Sequence, residues 1–210
     1  MDHPTNSEVE ALLRQSFHAF VEKVFCTLNP GQTFRDNWHI EAIAYQLLRI
    51  KSGQNKRLMI NVPPRSLKSM IVSVAWPAFL LGHDPSLEIM VVSHSFELAA
   101  DLSNLFRKVV DTAWYKSAFP TMAGAPEKDN EKVFKTTQGG KRIAVSVKGS
   151  ITGMGADIII IDDPLDASEA ATETACLIVN KWIDTVLSTR MNNPKTGVMV
   201  LVMQRLSVLD

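Results

Sequence analysis

Four consecutive isoleucines at 158–161 run into two aspartates and a proline, in the stretch "DIIIIDDP". A strand with one solvated face alternates apolar and polar residues. An unbroken β-branched run suits a strand covered on both faces, as in the middle of a parallel sheet. Such a strand needs parallel neighbours and helices above and below it, and the rest of the chain supplies both. "RLMINV" (57–62), "EIMVVS" (88–93) and "GVMVLVM" (197–203) read as further apolar strands, with helical segments between them. This alternation predicts an α/β fold on a mostly parallel sheet flanked by helices.

Ahead of the first strand, Val9, Leu12, Leu13, Phe17, Phe20, Val21, Val24 and Phe25 recur at helical spacing, which predicts one amphipathic helix over 8–25. "NPGQTF" at 29–34 breaks it. Ile40, Ile43, Leu47 and Ile50 mark a second helix that stops near Gly53. These features divide the chain into an N-terminal helical segment, 1–55, and a core, 56–210. In the core, residues 68–81 suit a helix kinked or ended by Pro77. Residues 96–111 suit another, with Leu98, Leu102, Leu105, Phe106 and Val109 inward. Residues 112–131 read as irregular. "KVFKT" and "KRIAVSV" around "TQGG" predict a hairpin. A last helix is expected over 169–188, with Leu177, Ile178, Trp182 and Thr185 at helical spacing. No element after the final strand is available to cover it, so the chain reads as part of a longer protein.

Composition excludes several classes. Apolar residues make up 46% and charged residues 21%, ordinary for a folded domain. Lys+Arg and Asp+Glu balance at 22 each, so a polyanion contact must come from a local patch rather than a global excess. Cys26 and Cys176 form no Cys-x-x-Cys pair and read as reduced, buried thiols. "MDHPTNSEVE" is acidic and polar, unlike a signal peptide. The longest apolar runs are too short and broken to span a bilayer.

Four stretches carry chemistry. "VPPRSLKS" (62–69) compares with the phosphate-loop pattern G-x-x-x-x-G-K-[ST], with Val62 and Leu67 in place of the two glycines and Lys68 and Ser69 in register. It lies between a buried strand and a helix, where a helix N-terminus offers amides and a positive dipole end to phosphate oxygens. There Lys68 would reach the β- and γ-phosphates, Ser69 would bind Mg²⁺, and Arg65 would add a guanidinium. An ordinary strand–helix turn would use the same residues. "IIIIDDP" places Asp162 and Asp163 at the C-terminal tip of a central strand, the edge where open parallel sheets bind ligands. Asp162 could hold Mg²⁺ through its water shell and Asp163 could polarise an attacking water; a turn or helix cap would also suit them. "VSVKGSITGMGAD" (145–157) is a polar, glycine-rich loop leading into that strand. "LVMQRL" (201–206) brings Gln204 and Arg205 to another strand tip, where an amide could sense a γ-phosphate.

Together with "WHIEAIAYQLL" and "VVSHSFELAADLSNLFRKVV", these stretches resemble the ATPase domain of the large terminase subunit of tailed bacteriophages, over nearly the whole chain from Trp38. The resemblance implies a P-loop NTPase of the RecA-like, additional-strand catalytic-glutamate (ASCE) class that hydrolyses ATP with Mg²⁺ and drives double-stranded DNA into a procapsid. It implies nucleotide binding by Pro64, Arg65, Ser66, Leu67, Lys68 and Ser69, with Trp38, His39 and Gln46 against the adenine. Ser69 and Asp162 would be the metal ligands. Asp163 would stand at the base position, where the family usually has Glu, and Lys68, Arg65 and Gln204 would complete the catalytic set. "SHS" (93–95) matches a motif shared with helicase-like motors. Expected partners are the portal protein, the small terminase subunit and further copies in a ring, in the host cytoplasm at the procapsid portal, encoded by a phage or prophage. The family's C-terminal nuclease domain is absent from this chain, so DNA cleavage is not expected. A superfamily 2 helicase-like ATPase and a non-catalytic terminase fragment are the alternatives. The first would need a Glu in its "DExx" motif and a second domain bearing paired arginines.

Overall fold

A computed structural model describes residues 5–125, 130–166, 168 and 172–206. Six strands form one sheet: β1 (Arg57–Asn61), β2 (Glu88–Ser93), β3 (Val133–Lys135), β4 (Lys141–Ser146), β5 (Ile158–Asp162) and β6 (Val198–Met203). Their order is β1-β6-β5-β2-β4-β3, and every pairing is parallel except the β3–β4 hairpin around "TQGG". Within that hairpin Gly139 takes a positive φ of 90°. A Cβ on Gly140 would lie 2.2 Å from the Pro85 carbonyl oxygen.

The isoleucine strand β5 is central, buried along its whole length, with β6 and β2 on either side. β6 sits between β1 and β5, with Val200 and Val202 fully buried. The last strand in sequence is therefore an inner strand: Val198, Val200 and Val202 are buried on one face, while Met199 and Leu201 on the other are half-buried. This insertion aligns the C-terminal ends of β1, β6, β5 and β2 along one edge.

Helices α1 (Asn6–Gln15), α2 (Phe17–Leu28) and α3 (Trp38–Lys51) precede the sheet. The single helix expected over 8–25 is broken at Ser16, whose backbone is extended and whose Oγ accepts from the Ala19 amide at 3.2 Å, capping α2. Ser16 lacks any apolar demand to stay helical, and its hydroxyl is a good cap. The helix after β1 does not stop at Pro77. It runs through a widened π-helical turn, Met70–Ala75, into α4 (Trp76–His83). Then come α5 (Phe96–Val110) and α6 (Ala113–Ala118), the latter inside the stretch expected to be irregular. A Thr112 side-chain cap on the Tyr115 amide starts α6. Finally α7 spans Glu173–Trp182. The earlier residues expected in that helix, 169–171, lie outside the described residues. Its buried side is Cys176, Val179 and Trp182, while Leu177 and Ile178 are exposed.

On one face of the sheet, α1–α6 share a core built around Phe20, which is fully buried and meets the rings of Phe17, Phe79, Trp114, Tyr115 and Phe119. Leu12, expected in the apolar stripe, is half exposed. On the other face Met90, Val92, Ile159 and Ile161 pack with Trp182 and Leu187. Cys26 is exposed rather than buried; Cys176 is buried, and neither forms a disulfide among the described residues. Among the described residues, no helix is long and apolar enough to cross a membrane.

Candidate functional site

The loop from Val62 to Leu67 joins β1 to the helix that opens at Lys68. Two residues in it take left-handed backbone: Arg65 and Leu67, both at φ 62°. An L-residue meets a steric penalty there, and glycine does not. Leu67 occupies the position of the second glycine in the phosphate-loop pattern, so the backbone path of the motif is kept without its usual residue. The half-buried Leu67 side chain packs on the main core, which offers a reason for leucine at a strained position. The two prolines precede these residues and do not carry the positive φ. The Ile71 amide donates to the Leu67 carbonyl at 2.9 Å, so the amides before it form the open first turn of the helix.

Five side chains converge where this loop meets the tip of β5. Lys68 Nζ donates to Asp163 Oδ2 and lies 3.9 Å from Asp162 Oδ1. Ser69 Oγ donates to Asp162 Oδ1 at 2.9 Å, and Ser73 Oγ donates to Asp162 Oδ2 at 2.6 Å. Asp162 has no exposed surface, and Lys68 is buried to 7% exposure. Burial pushes the Asp162 carboxyl above its ordinary range, against the Ser73 hydrogen bond and the Lys68 charge, which both favour the carboxylate.

Asp163 leaves the strand with φ 44°, another left-handed non-glycine residue. It is held from three sides. Its amide donates to the Val202 carbonyl at 2.9 Å. Its carbonyl faces the His94 amide at 3.2 Å and His94 Nδ1 at 3.1 Å. Its Oδ1 accepts from the Gln204 amide at 3.1 Å. Gln204 thus touches the acid through its main chain. Strain held this firmly at a strand tip is common where chemistry occurs.

Beside the loop, a cleft of about 520 Å³ is lined by residues that include Gln32, Arg35, Asn37, His39, Arg65 and Ser66. His39 Nε2 lies 3.2 Å from the Ser66 carbonyl, tying α3 to the loop. Of the three residues expected around an adenine, only His39 lines this cleft. Trp38 is 78% exposed and meets His39 edge to face; Gln46 lies two turns further along α3, half-buried. Arg205 lines a different cleft, with Met59, Asn61, Leu165 and Cys176.

Sequence reasoning missed Ser73, the loop residues Gln32, Arg35 and Asn37, and a fully buried Arg142 on β4. Ser73 stands four residues after Ser69, and this i, i+4 spacing was its available signal. Arg142 sits in an apolar strand and gave none.

No family model matches the chain. It is 30% identical over 176 residues to the large terminase subunit of Enterobacteria phage T3, an alignment covering 81% of this chain and 28% of that protein. The chain therefore spans under a third of the length of this curated relative. Its fold resembles the large terminase of bacteriophage HK97, with a TM-score of 0.54 at 16% identity, covering 90% of this chain and 37% of that one. It also resembles the large terminase ATPase domain of Thermus phage P74-26, with a TM-score of 0.50 at 14% identity, covering 89% and 71%. The sequence likeness and the overall likeness of fold lead to one conclusion: the chain belongs to the phage terminase large subunits and has the fold of their ATPase domain.

Proposed function

We propose that this chain binds and hydrolyses ATP with Mg²⁺ as the motor segment of a phage packaging machine that moves double-stranded DNA into a procapsid. The observation that carries this reading is the convergence of Lys68 and Ser69, from a phosphate-type loop, on Asp162 and Asp163 at the adjacent strand tip.

The residues present fit a nucleotide and a divalent cation. Ser66 Oγ is buried in the loop with no hydrogen-bond partner among the described residues. An unpaired buried hydroxyl costs about 1–3 kcal/mol, and a phosphate oxygen would relieve it. Mg²⁺ prefers few protein ligands, several waters and substrate phosphates. Ser69 Oγ and Asp162, already in contact, suit that role, and the described residues contain no cluster of three acids or imidazoles that would form an all-protein cage. When bound, the cation would neutralise charge on the phosphates.

The chain's own groups then have distinct tasks. The strained loop and the first helical turn present amides to phosphate oxygens. Lys68 pairs with the Asp163 carboxylate. A phosphate competing for its ammonium would free the Asp163 carboxylate to orient and deprotonate water. The Gln204 amide on Oδ1 holds that carboxylate in place and links it to β6. Arg65, exposed at the rim of the cleft with His39, is placed to meet phosphate charge in cis. Trp38 and Gln46 would need to move to reach a base seated there. Double-stranded DNA, the portal protein, the small terminase subunit and neighbouring copies in a ring are the proposed partners, in the host cytoplasm at the portal.

Titration calorimetry with Mg·ATP tests the reading. Binding is expected in the parent and lost in Lys68→Ala, with circular dichroism unchanged. A folded parent with no affinity for nucleotide would refute it.

A further inference from the structure

The helix after the phosphate-type loop contains a proline in an awkward place. In an α-helix the amide of residue 77 would donate to the carbonyl of residue 73, but Pro77 has no N–H. The chain answers in two ways. The helix widens before the proline, with the Trp76 amide donating to the Ile71 carbonyl five residues back. The Ser73 carbonyl, left without its helical donor, accepts from Arg142 Nη2 at 3.1 Å.

Arg142 reaches it from β4, which packs on α5, as the widened turn does. It is completely buried, and its guanidinium lies 5.4 Å from the centre of the Phe106 ring. Nε and Nη1 have no hydrogen-bond partner among the described residues. As a device for stability this is poor. A buried charge with incomplete hydrogen bonding is often no better than an apolar side chain of the same volume, and sometimes worse. Its one side-chain hydrogen bond among the described residues goes to the residue whose hydroxyl holds Asp162 Oδ2.

Resting on the reading of Asp162 as a metal-binding acid, we infer that Pro77, Ser73 and Arg142 form a positioning device for that acid. Pro77 opens the turn, Arg142 fixes the released carbonyl, and Ser73, so fixed, clamps one carboxylate oxygen while Ser69 holds the other. Arg142 is a positioning residue: it touches neither nucleotide nor metal and acts through Ser73.

The test compares Ser73→Ala, Pro77→Ala, Arg142→Met and Arg142→Lys with the parent, by crystal structure and by two titrations. One titration measures ATP binding without divalent cations; the other measures the Mg²⁺ concentration that half-saturates ATP hydrolysis. Partners that orient a metal ligand typically shift metal affinity about 10–100-fold. In Arg142→Met and Pro77→Ala the Ser73 hydroxyl is expected to leave Asp162. In these and in Ser73→Ala the Mg²⁺ midpoint is expected to rise about tenfold or more, with divalent-free ATP affinity unchanged. Arg142→Lys is expected to recover part of the shift. Retention of the Ser73–Asp162 hydrogen bond in Arg142→Met would overturn the inference, as would a Mg²⁺ midpoint in Ser73→Ala within twofold of the parent. If Arg142→Met does not fold, Pro77→Ala and Ser73→Ala decide on the same criteria. If the parent binds no nucleotide, the ATPase reading falls, and the crystal structures alone decide the positioning role.

Discussion

Position 65 offers a direct measure of the strain stored in the loop. Arg65 is exposed and sits at φ 62°. Replacing it by alanine keeps a Cβ and so keeps the steric cost of left-handed backbone, about 1–2 kcal/mol. Replacing it by glycine removes that cost but adds about 0.5–1 kcal/mol of unfolded-chain entropy. Both variants lose the same guanidinium, and neither uncovers buried apolar surface, so the Gly–Ala difference isolates the backbone. Arg65→Gly is expected to be more stable than Arg65→Ala by about 0.5–1 kcal/mol, or roughly 1–4 °C in Tm for a chain of this size. Urea denaturation followed by circular dichroism measures it, with equal slopes confirming a common unfolded state. An Arg65→Ala variant as stable as Arg65→Gly would show that this residue does not hold positive φ in solution, and the account of the loop would fail. Leu67 is the internal contrast. There glycine also removes a half-buried side chain packed on the core, which offsets the relief and brings the change close to zero or below.

Three further outcomes are expected. Asp163→Asn should keep Mg·ATP binding in calorimetry but lower steady-state hydrolysis by about 100-fold or more, the usual scale of a lost general base; unchanged turnover would remove Asp163 from that role. Because burial holds the Asp162 carboxyl above its ordinary 3.8, the native state keeps that proton to higher pH than the unfolded chain, and this group lowers stability as pH rises from about 4 through the native value. Urea midpoints in EDTA from pH 4 to 8 should therefore show Asp162→Asn gaining on the parent as pH rises, and parallel curves would refute the sign. Phe20→Ala, which opens a hole in the ring cluster under α2, should cost about 3–5 kcal/mol in the same assay.

The sequence by itself determined the layers and the edge on which the chemistry sits. Four isoleucines have no solvent-facing positions to spare, so β5 had to be central, and parallel order then brings the tips of β1, β5 and β6 to one side. Lys68, Ser69, Asp162 and Asp163 were legible because their spacing from strand ends is local information. The break at Ser16 and the cap that starts α6 are local too, but a single hydroxyl leaves a weaker mark in a sequence than apolar periodicity does. What only the tertiary structure decided is long-range. Nothing in residues 197–203 says that they insert between β1 and β5. No local pattern assigns left-handed backbone to Arg65 and Leu67, because packing of the loop on the helix and core imposes it. Arg142 lies 69 residues from Ser73 in sequence, and only the packing of α5 on both β4 and the widened turn brings its guanidinium to a carbonyl that Pro77 had left without a donor. A proline, a serine and an arginine that look unrelated along the chain become one arrangement because backbone polar groups buried in the core must find partners wherever the fold provides them.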